Sequence, residues 1–272
     1  MIRMEHVTKS FDGRTVLRNV NVCIEPGQFW GLLGPNGSGK STLLQLISGT
    51  EKPDSGKIWL EDKLVGSYSR KELSRKMAML QQEGMPTVSF PVRDVIEMGR
   101  FPYQDWLGRD RSEHAEALVD QIMSRLDLLE LADRPVSELS GGQRQRAALG
   151  KVMAQQPDLV LLDEPTTFLD IHYQIQFMEL ISEWRKDSGL TILAALHDIN
   201  LAALYCDHLL VMKEGRLTAA GPTGEVLTPS LLKDVFEVDL AAVVHPDHDL
   251  PQFLLRPGAG AETPKGSGHE EP

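Results

Sequence analysis

The chain has 272 residues and a mass of 30.2 kDa, enough for one large domain with an attached lobe or for two small domains. Hydrophobic residues make up 41% of it, yet no apolar run approaches the roughly 18 residues of a membrane-spanning helix. The net charge of −11 argues against a partner that presents a nucleic-acid backbone or anionic lipid. The opening residues lack the apolar segment of an export signal, so we expect a cytoplasmic protein.

The first third of the chain combines strand patterns with a glycine-rich loop. Apolar runs and alternation predict strands at 15–25, 28–34, 57–62 and 76–83. The segment GPNGSGKS at 34–41 follows the second of these strands, and 40–49 has helical spacing. The order of strand, glycine loop and helix is the context that a phosphate-binding loop requires.

Between about residues 84 and 156 the apolar spacing becomes helical, which predicts a helical lobe inserted into an α/β core. After the lobe, strands are predicted at 158–165, 190–196 and 208–215, and helices from about 171, 198 and 229. Residues 257–272 are rich in Gly, Pro, Ser and Glu and are predicted to be disordered. The two cysteines, Cys23 and Cys206, are expected to be buried thiols because neither has metal-ligand spacing.

The glycine loop is the first candidate site. Gly34, Gly37 and Gly39 allow successive backbone N–H groups to face an anion, and the helix that follows adds its positive end. Lys40 can reach the outer phosphates of a nucleoside triphosphate, and Ser41 can ligate Mg²⁺. The alternative is a glycine-rich turn without a ligand, which the flanking strand and helix disfavour.

Two carboxylates and a histidine follow buried strands in the second half. Asp163 and Glu164 end the strand LVLLDEP, where Asp163 can hold Mg²⁺ and Glu164 can accept a proton from an attacking water. His197 follows the strand TILAAL and can contact a γ-phosphate at the same sheet edge. Taken alone, the acidic pair is equally typical of a solvated turn or helix cap, and the histidine of a cap on the next helix.

A second anion-binding turn, LSGGQRQR at 139–146, opens another helix. The hydroxyl of Ser140 can donate a hydrogen bond, and Gly141 and Gly142 permit close backbone approach to an anion at the helix N-terminus. The chain already has one phosphate-binding loop, at 34–41, so this second turn has no evident role in a site formed by the same chain.

The motifs GPNGSGKS, LSGGQ and LLDEP, in this order and spacing, make the chain similar to the ATP-binding cassette (ABC) ATPases over about residues 2–257. The resemblance implies an α/β fold: a P-loop NTPase (RecA-like) core with a parallel sheet, an N-terminal antiparallel β subdomain and an inserted α-helical subdomain. It implies one ABC domain at 1–256, with a C-terminal extension at about 226–256. It also implies that the LSGGQ turn closes over nucleotide held by a second, antiparallel cassette, so a homodimer is expected.

The resemblance assigns roles to residues at matching positions. The contacts to ATP fall on Phe11, Gly34, Pro35, Asn36, Gly37, Ser38, Gly39, Lys40, Ser41, Thr42, Ser140, Gly141, Gly142, Gln143 and Asp170. The catalytic set is Glu164, His197 and Gln82, and the Mg²⁺ ligands are Ser41, Gln82 and Asp163. Because Gln81 is adjacent to Gln82, either can be the glutamine that senses Mg²⁺ and the attacking water.

The function implied is the ATPase of a bacterial importer on the cytoplasmic face of the membrane. Its partners would be a second cassette, two integral membrane permeases and, indirectly, an extracytoplasmic substrate-binding protein. A soluble ABC ATPase of DNA repair or translation is disfavoured, because no coiled-coil insertion or second cassette is present. An exporter cassette, usually fused to membrane helices, is a further alternative.

The segments RFPYQDW, EPTTFLDIHYQIQ, LHDINLAALYCD and VLTPSLLKDVFEVDLAAVVHP resemble cassettes of bacterial importers for ferric siderophores, haem and cobalamin. A ferric siderophore is the first expectation for the cargo, then haem or cobalamin, with zinc or manganese more distant. The segment at 90–103 is a candidate to receive a permease helix or, equally, lobe core. Arg100 within it is taken as the position at which charge reversal would test docking.

Overall fold

The computed structural model describes residues 2–81, 88–110, 112, 114–167, 169–248 and 250–256. The strands are β1 (Ile2–Phe11), β2 (Arg14–Ile24), β3 (Phe29–Leu33), β4 (Ser55–Leu60), β5 (Lys63–Leu64), β6 (Met77–Leu80), β7 (Leu159–Asp163), β8 (Thr191–Ala195), β9 (His208–Lys213), β10 (Arg216–Pro222), β11 (Leu240–Val244) and β12 (Pro251–Leu255). The helices are α1 (Lys40–Ile47), α2 (Arg70–Lys76), α3 (Val92–Glu97), α4 (Ala115–Arg125), α5 (Gly141–Ala154), α6 (Ile171–Ser188), α7 (Ile199–Tyr205), α8 (Thr223–Val226) and α9 (Pro229–Phe236).

The central sheet has the strand order β10, β9, β3, β8, β7, β6. Strands β9, β3, β8, β7 and β6 pair in parallel, and β10 is an antiparallel edge strand. The carboxyl ends of β3, β7 and β8 therefore meet at one edge of the sheet, where ligands of open α/β folds bind. This arrangement confirms the predicted α/β core with a parallel sheet.

A second sheet, ordered β2, β1, β4, β5, is antiparallel and built from the first 64 residues. It confirms the expected N-terminal antiparallel β subdomain. The pairing of β1 with β2 is interrupted by register shifts, one of which falls between Thr15 and Leu17. Because of these irregularities Leu17 is fully buried while its neighbour Val16 is half-buried.

The two faces of the central sheet carry separate hydrophobic clusters. Phe29 and Leu33 of β3 pack into one cluster with the helical lobe, whereas Trp30 and Leu32 pack into the other with α1 and the antiparallel sheet. Successive side chains of a strand point to opposite faces, so a strand with apolar residues at every position can bury both. This double burial fixes the position of the loop that follows β3.

Helices α3, α4 and α5 lie between β6 and β7 in the chain and pack on one another. The predicted lobe at 84–156 begins at residues outside the described part, so its boundary stays a prediction. None of the helices in the described ranges is both long and apolar enough to cross a bilayer. Residues 257–272, predicted to be disordered, also lie outside the described residues.

Arg100 is inside the lobe and not on its surface. Its guanidinium is 4% exposed, forms an ion pair with Asp110 at 2.8 Å, and donates to the carbonyl oxygen of Ala154 at 3.0 Å and to Gln156 Oε1 at 2.8 Å. Choosing Arg100 as a docking residue was therefore wrong, because reversing its charge would leave Asp110 without its partner in the lobe.

The expectation that both cysteines are buried holds for only one of them. Cys206 is buried, and burial raises the pKa of its thiol well above the usual range. Cys23 is exposed on β2, where its thiol donates to Glu25 Oε1 at 3.4 Å. The expectation for Cys23 was wrong because its neighbours in sequence, Val22 and Ile24, face away from it on the strand.

Candidate nucleotide site

The glycine loop connects β3 directly to α1. Gly37 and Gly39 adopt left-handed φ angles of 78° and 103°, and Gly39 is the N-cap of α1. A Cβ at position 39 would lie 2.7 Å from Leu17 Cδ2, so a side chain is excluded there by space as well as by backbone conformation. The loop thus brings the N-terminus of α1 to the carboxyl edge of the sheet.

Lys40 is held in the loop by backbone oxygens. Its ammonium group donates to the carbonyls of Gly34 at 2.8 Å and Pro35 at 3.3 Å, and the residue is 5% exposed. Burial lowers the pKa of Lys40, an effect that the nearby carboxylates oppose. The hydroxyl of Ser38 is also buried and has no hydrogen-bond partner within the described residues. A buried cation and an unsatisfied hydroxyl beside a helix N-terminus fit the phosphates of a nucleotide.

Ser41 and Asp163 meet across the sheet edge. The hydroxyl of Ser41 donates to Asp163 Oδ1 at 3.0 Å, although the two residues are 122 positions apart in sequence. Asp163 is 6% exposed, and burial raises its pKa while the hydrogen bond from Ser41 acts in the opposite direction. Adjacent hydroxyl and carboxylate oxygens are the ligands that Mg²⁺ prefers, so this pair fits the predicted metal.

Glu164 and His197 form the second contact at this edge. His197 Nε2 lies 2.5 Å from Glu164 Oε1, and the glutamate side chain is 10% exposed while the histidine is 40% exposed. Glu164 has a φ of 51°, a left-handed conformation that is uncommon for a residue with a side chain, and its N–H donates to the carbonyl of Ala195 at 3.1 Å. The bend after β7 thereby directs the carboxylate toward the residue that follows β8.

These groups surround a cleft of about 1160 Å³. Its lining residues are Arg14, Thr15, Val16, Arg18, Pro35, Asn36, Gly37, Ser38, Gly39, Lys40, Ser41, Thr42, Glu164, Thr167, His197, Lys213, Glu214, Gly215, Val235, Phe236 and Glu237. The loop, Glu164 and His197 are thus brought together as predicted. Gly34 and Asp163 do not line the cleft and lie beside residues that do.

Phe11, which the resemblance places among the contacts to ATP, does not line the cleft either. It ends β1 opposite Arg14, which does, and its ring is 39% exposed with the ammonium of Lys9 at 4.7 Å from the ring centroid. Gln82 lies outside the described residues, so the choice between Gln81 and Gln82 stays as the sequence left it. Asp170 is exposed and caps α6, where its Oδ1 accepts from the N–H of Tyr173 at 3.1 Å.

The LSGGQ turn does not border this chain's own cleft. Ser140 caps α5 through a reciprocal pair of hydrogen bonds with Gln143, at 3.3 and 3.0 Å. Ser140 and Gly141 are exposed, whereas Gly142 is buried against Tyr173, whose Cδ1 would lie 2.9 Å from an added Cβ. None of these four described residues lines the cleft, so the turn presents an uncovered helix N-terminus elsewhere on the surface.

Sequence reasoning missed the rim of the cleft formed by Arg14, Arg18, the turn 213–215 and the end of α9. The sequence contains no local signal for this grouping, because the segments come from β2, from the β9–β10 connection and from the C-terminal extension. The first two are brought together by the packing of Gly215 against the backbone of Val16 and by the hydrogen bond from the Arg18 N–H to the carbonyl of Gly215 at 2.8 Å.

A loop of this shape after a parallel strand, with a buried lysine and two acidic residues at the carboxyl end of β7, one strand beyond the neighbouring β8, defines a P-loop nucleoside triphosphatase. The family model described as ABC transporter matches residues 17–167, which is more than half of the chain. The chain therefore belongs to the ABC transporter family and is an ATP-binding cassette ATPase.

Curated relatives match the sequence of this chain over most of its length. The ferric enterobactin transport ATP-binding protein FepC of Escherichia coli is 40% identical over 235 residues, 86% of each protein. The uncharacterized ABC transporter ATP-binding protein YvrA of Bacillus subtilis is 38% identical over 259 residues, 94% of this chain, but this chain spans only 58% of YvrA. A dimeric structure of MJ0796, a bacterial ABC transporter cassette, has a TM-score of 0.71 at 28% identity and covers 82% of this chain and 99% of that one.

Proposed function

We propose that the chain hydrolyses ATP to drive a bacterial importer of iron complexes, with ferric siderophores as the first cargo. The observation that carries the ATPase part is the convergence of the glycine loop, Asp163, Glu164 and His197 on one sheet edge. The cargo part is supported by FepC, whose identity and coverage extend well beyond the nucleotide motifs. No residue of a cassette is expected to touch the cargo, so the cargo follows from relatives alone.

In this proposal the loop residues 34–42 bind the phosphates of ATP and Lys40 neutralises charge on the outer ones. Ser41 and Asp163, with Gln82, would hold Mg²⁺, which when bound stabilises negative charge on the phosphate oxygens. Glu164 accepts the proton of the attacking water, and His197 orients that carboxylate through the 2.5 Å contact. The low exposure of Glu164 keeps the carboxylate in the orientation that its neighbour sets.

The active species in this account is an antiparallel dimer. Ser140 and Gly141 are exposed and do not line their own cleft, so their helix N-terminus is available to a phosphate held by a second copy. The dimeric structure of MJ0796 supports a dimer of cassettes. Asp170, exposed at the start of α6, lies on a segment expected to cross between the two copies.

Two permease subunits would hold the dimer at the cytoplasmic face of the membrane, with a substrate-binding protein on the other side. The helical lobe offers apolar side chains for this contact: Phe90, Phe101, Trp106 and Leu107 are 53%, 58%, 87% and 53% exposed. Exposed aromatic residues clustered within one short stretch of the chain are typical of protein interfaces.

The direct test is deletion of the gene followed by uptake assays with labelled ferric siderophore, haem and cobalamin. Loss of ferric siderophore uptake alone supports the proposal. Loss of haem or cobalamin uptake alone would reassign the cargo, and normal uptake of all three in a cell without a second such cassette would contradict it.

A further inference from the structure

The C-terminal extension contributes a wall to the nucleotide cleft. Val235, Phe236 and Glu237, at the end of α9, line the same cleft as the glycine loop. Val235 is buried in the core and Glu237 is exposed, while the ring of Phe236 is half-buried between these two environments. Phe236 thus both packs against the core and borders the cleft.

The β9–β10 turn holds this helix end beside the loop. Lys213 donates to the carbonyl oxygen of Asp234 and lies 3.4 Å from the carboxylate of the same residue. The positive charge of Lys213 is favourable at a helix C-terminus, where carbonyl groups lack partners. Two residues later, the N–H of Gly215 donates to the carbonyl of Ser38 in the glycine loop at 3.1 Å. One short turn therefore connects the end of α9 to the phosphate site.

A nucleoside triphosphate needs more than a phosphate loop, because its base presents a flat apolar surface that is stabilised by stacking on an aromatic ring. Among the described residues that line the cleft, aromatic rings are carried by His197, which contacts Glu164, and by Phe236. Phe11 is not among the lining residues. The half-buried side chain of Phe236 lines the cleft together with Arg14 and Arg18, and it takes no part in the contact between Glu164 and His197.

We propose that Phe236 forms a wall of the subsite for the nucleotide base, and that Lys213 is a positioning residue that holds it there. The inference rests on the proposed ATPase function and adds a specificity residue from the C-terminal extension. It gives the extension a role in nucleotide binding in addition to any contact with other chains.

The test compares equilibrium binding of ATP and of tripolyphosphate, which has the phosphates but no base, to the full chain and its variants. Phe236→Leu keeps apolar volume in the core and removes the ring, so we expect ATP binding to weaken roughly 5- to 100-fold with tripolyphosphate binding changed less than about twofold. Phe236→Tyr should retain ATP affinity. Lys213→Met should weaken ATP binding in the same selective way but by a smaller factor.

Thermal unfolding of each variant separates a lost subsite from a damaged fold. Unchanged ATP affinity in Phe236→Leu, or an equal loss for both probes, would overturn the assignment of Phe236. If Phe11→Ala selectively weakened ATP binding while Phe236→Leu did not, the assignment of Phe236 would also be overturned, and the base subsite would be assigned to Phe11. If the unsubstituted chain failed to bind ATP at all, both the proposed function and this inference would be refuted.

Discussion

His197 Nε2 and Glu164 Oε1 lie 2.5 Å apart, although the two residues follow different strands, β8 and β7. The parallel pairing of these strands, with Asp163 opposite Ala195, sets the distance between them. The left-handed backbone at Glu164 completes the contact by turning the carboxylate toward the histidine. A residue in a sparsely populated conformation, held at a cleft, is typical of a functional position.

Glu164→Gln should bind ATP with near-normal affinity and hydrolyse it roughly 10²–10⁴-fold more slowly. The amide keeps the size and a hydrogen bond to His197 but cannot accept the proton of water. Steady-state phosphate release and ATP binding measured on the same preparation check this prediction. Turnover close to that of the unsubstituted chain would remove Glu164 from the role of general base.

Mixing two inactive variants should restore ATPase activity if Ser140 acts across a dimer. In a mixed dimer of Ser140→Arg and Lys40→Ala chains, one site carries both lesions and the other carries neither. Each variant alone has a lesion in both sites and should be inactive. If mixing restores nothing while the mixed dimer is shown to form, Ser140 acts within its own chain or not at all.

Asp163→Asn should stabilise the nucleotide-free protein at neutral pH. Burial raises the pKa of Asp163 in the folded state, so folding favours the neutral carboxyl over the charged one. The resulting stabilisation is fully present below the ordinary carboxyl pKa, and it is lost as the pH rises through the raised pKa of the folded state. Asparagine is neutral at every pH, so the gain in stability over aspartate should be largest near pH 7 and vanish in acid. Each kcal/mol gained should raise Tm by about 2–4 °C. Thermal scans across this pH range check it, and a Tm lower than that of the unsubstituted chain at pH 7 would contradict it.

Trp106→Glu should weaken association with the permeases without changing basal ATPase activity. The indole is 87% exposed, so the substitution leaves the fold intact while placing a charge in an apolar contact. A loss of roughly 30-fold in affinity is expected by comparison with interface hot spots. Leu64→Glu, at a 37% exposed apolar residue of β5, is the matched control. Equal retention of both variants on membranes would exclude the lobe surface around Trp106 as the docking site.

The parts of the site that lie within single short segments could be predicted from the sequence. Glycines within one loop, an acidic pair at a strand end and a histidine after a buried strand each reveal their place through the pattern around them. Strand pairing then brings them to one edge, because parallel strands end together. The contact between Ser41 and Asp163 is the clearest example.

The cleft rim could not be predicted, because it depends on contacts between segments far apart in sequence. Arg18 meets Gly215 only through the fold, and Phe236 has the same local pattern as any apolar residue that ends a helix. Strands β10, β11 and β12 were also not predicted. Strands β11 and β12 are short and carry apolar residues at their exposed positions, so neither shows the alternation of apolar and polar residues that predicts a strand. Arg100 shows the converse, because a charged residue that was expected at the surface of its segment is buried by partners that the sequence does not disclose.

The most direct test of the account is complementation of the deletion strain by plasmid-borne copies of the gene, with uptake of labelled ferric siderophore as the readout. The unsubstituted gene should restore uptake, and Glu164→Gln should not, although immunoblots show equal amounts of both proteins at the membrane. Uptake restored equally by Glu164→Gln, or not restored by the unsubstituted gene, would contradict the proposal that ATP hydrolysis at this site drives iron-complex import.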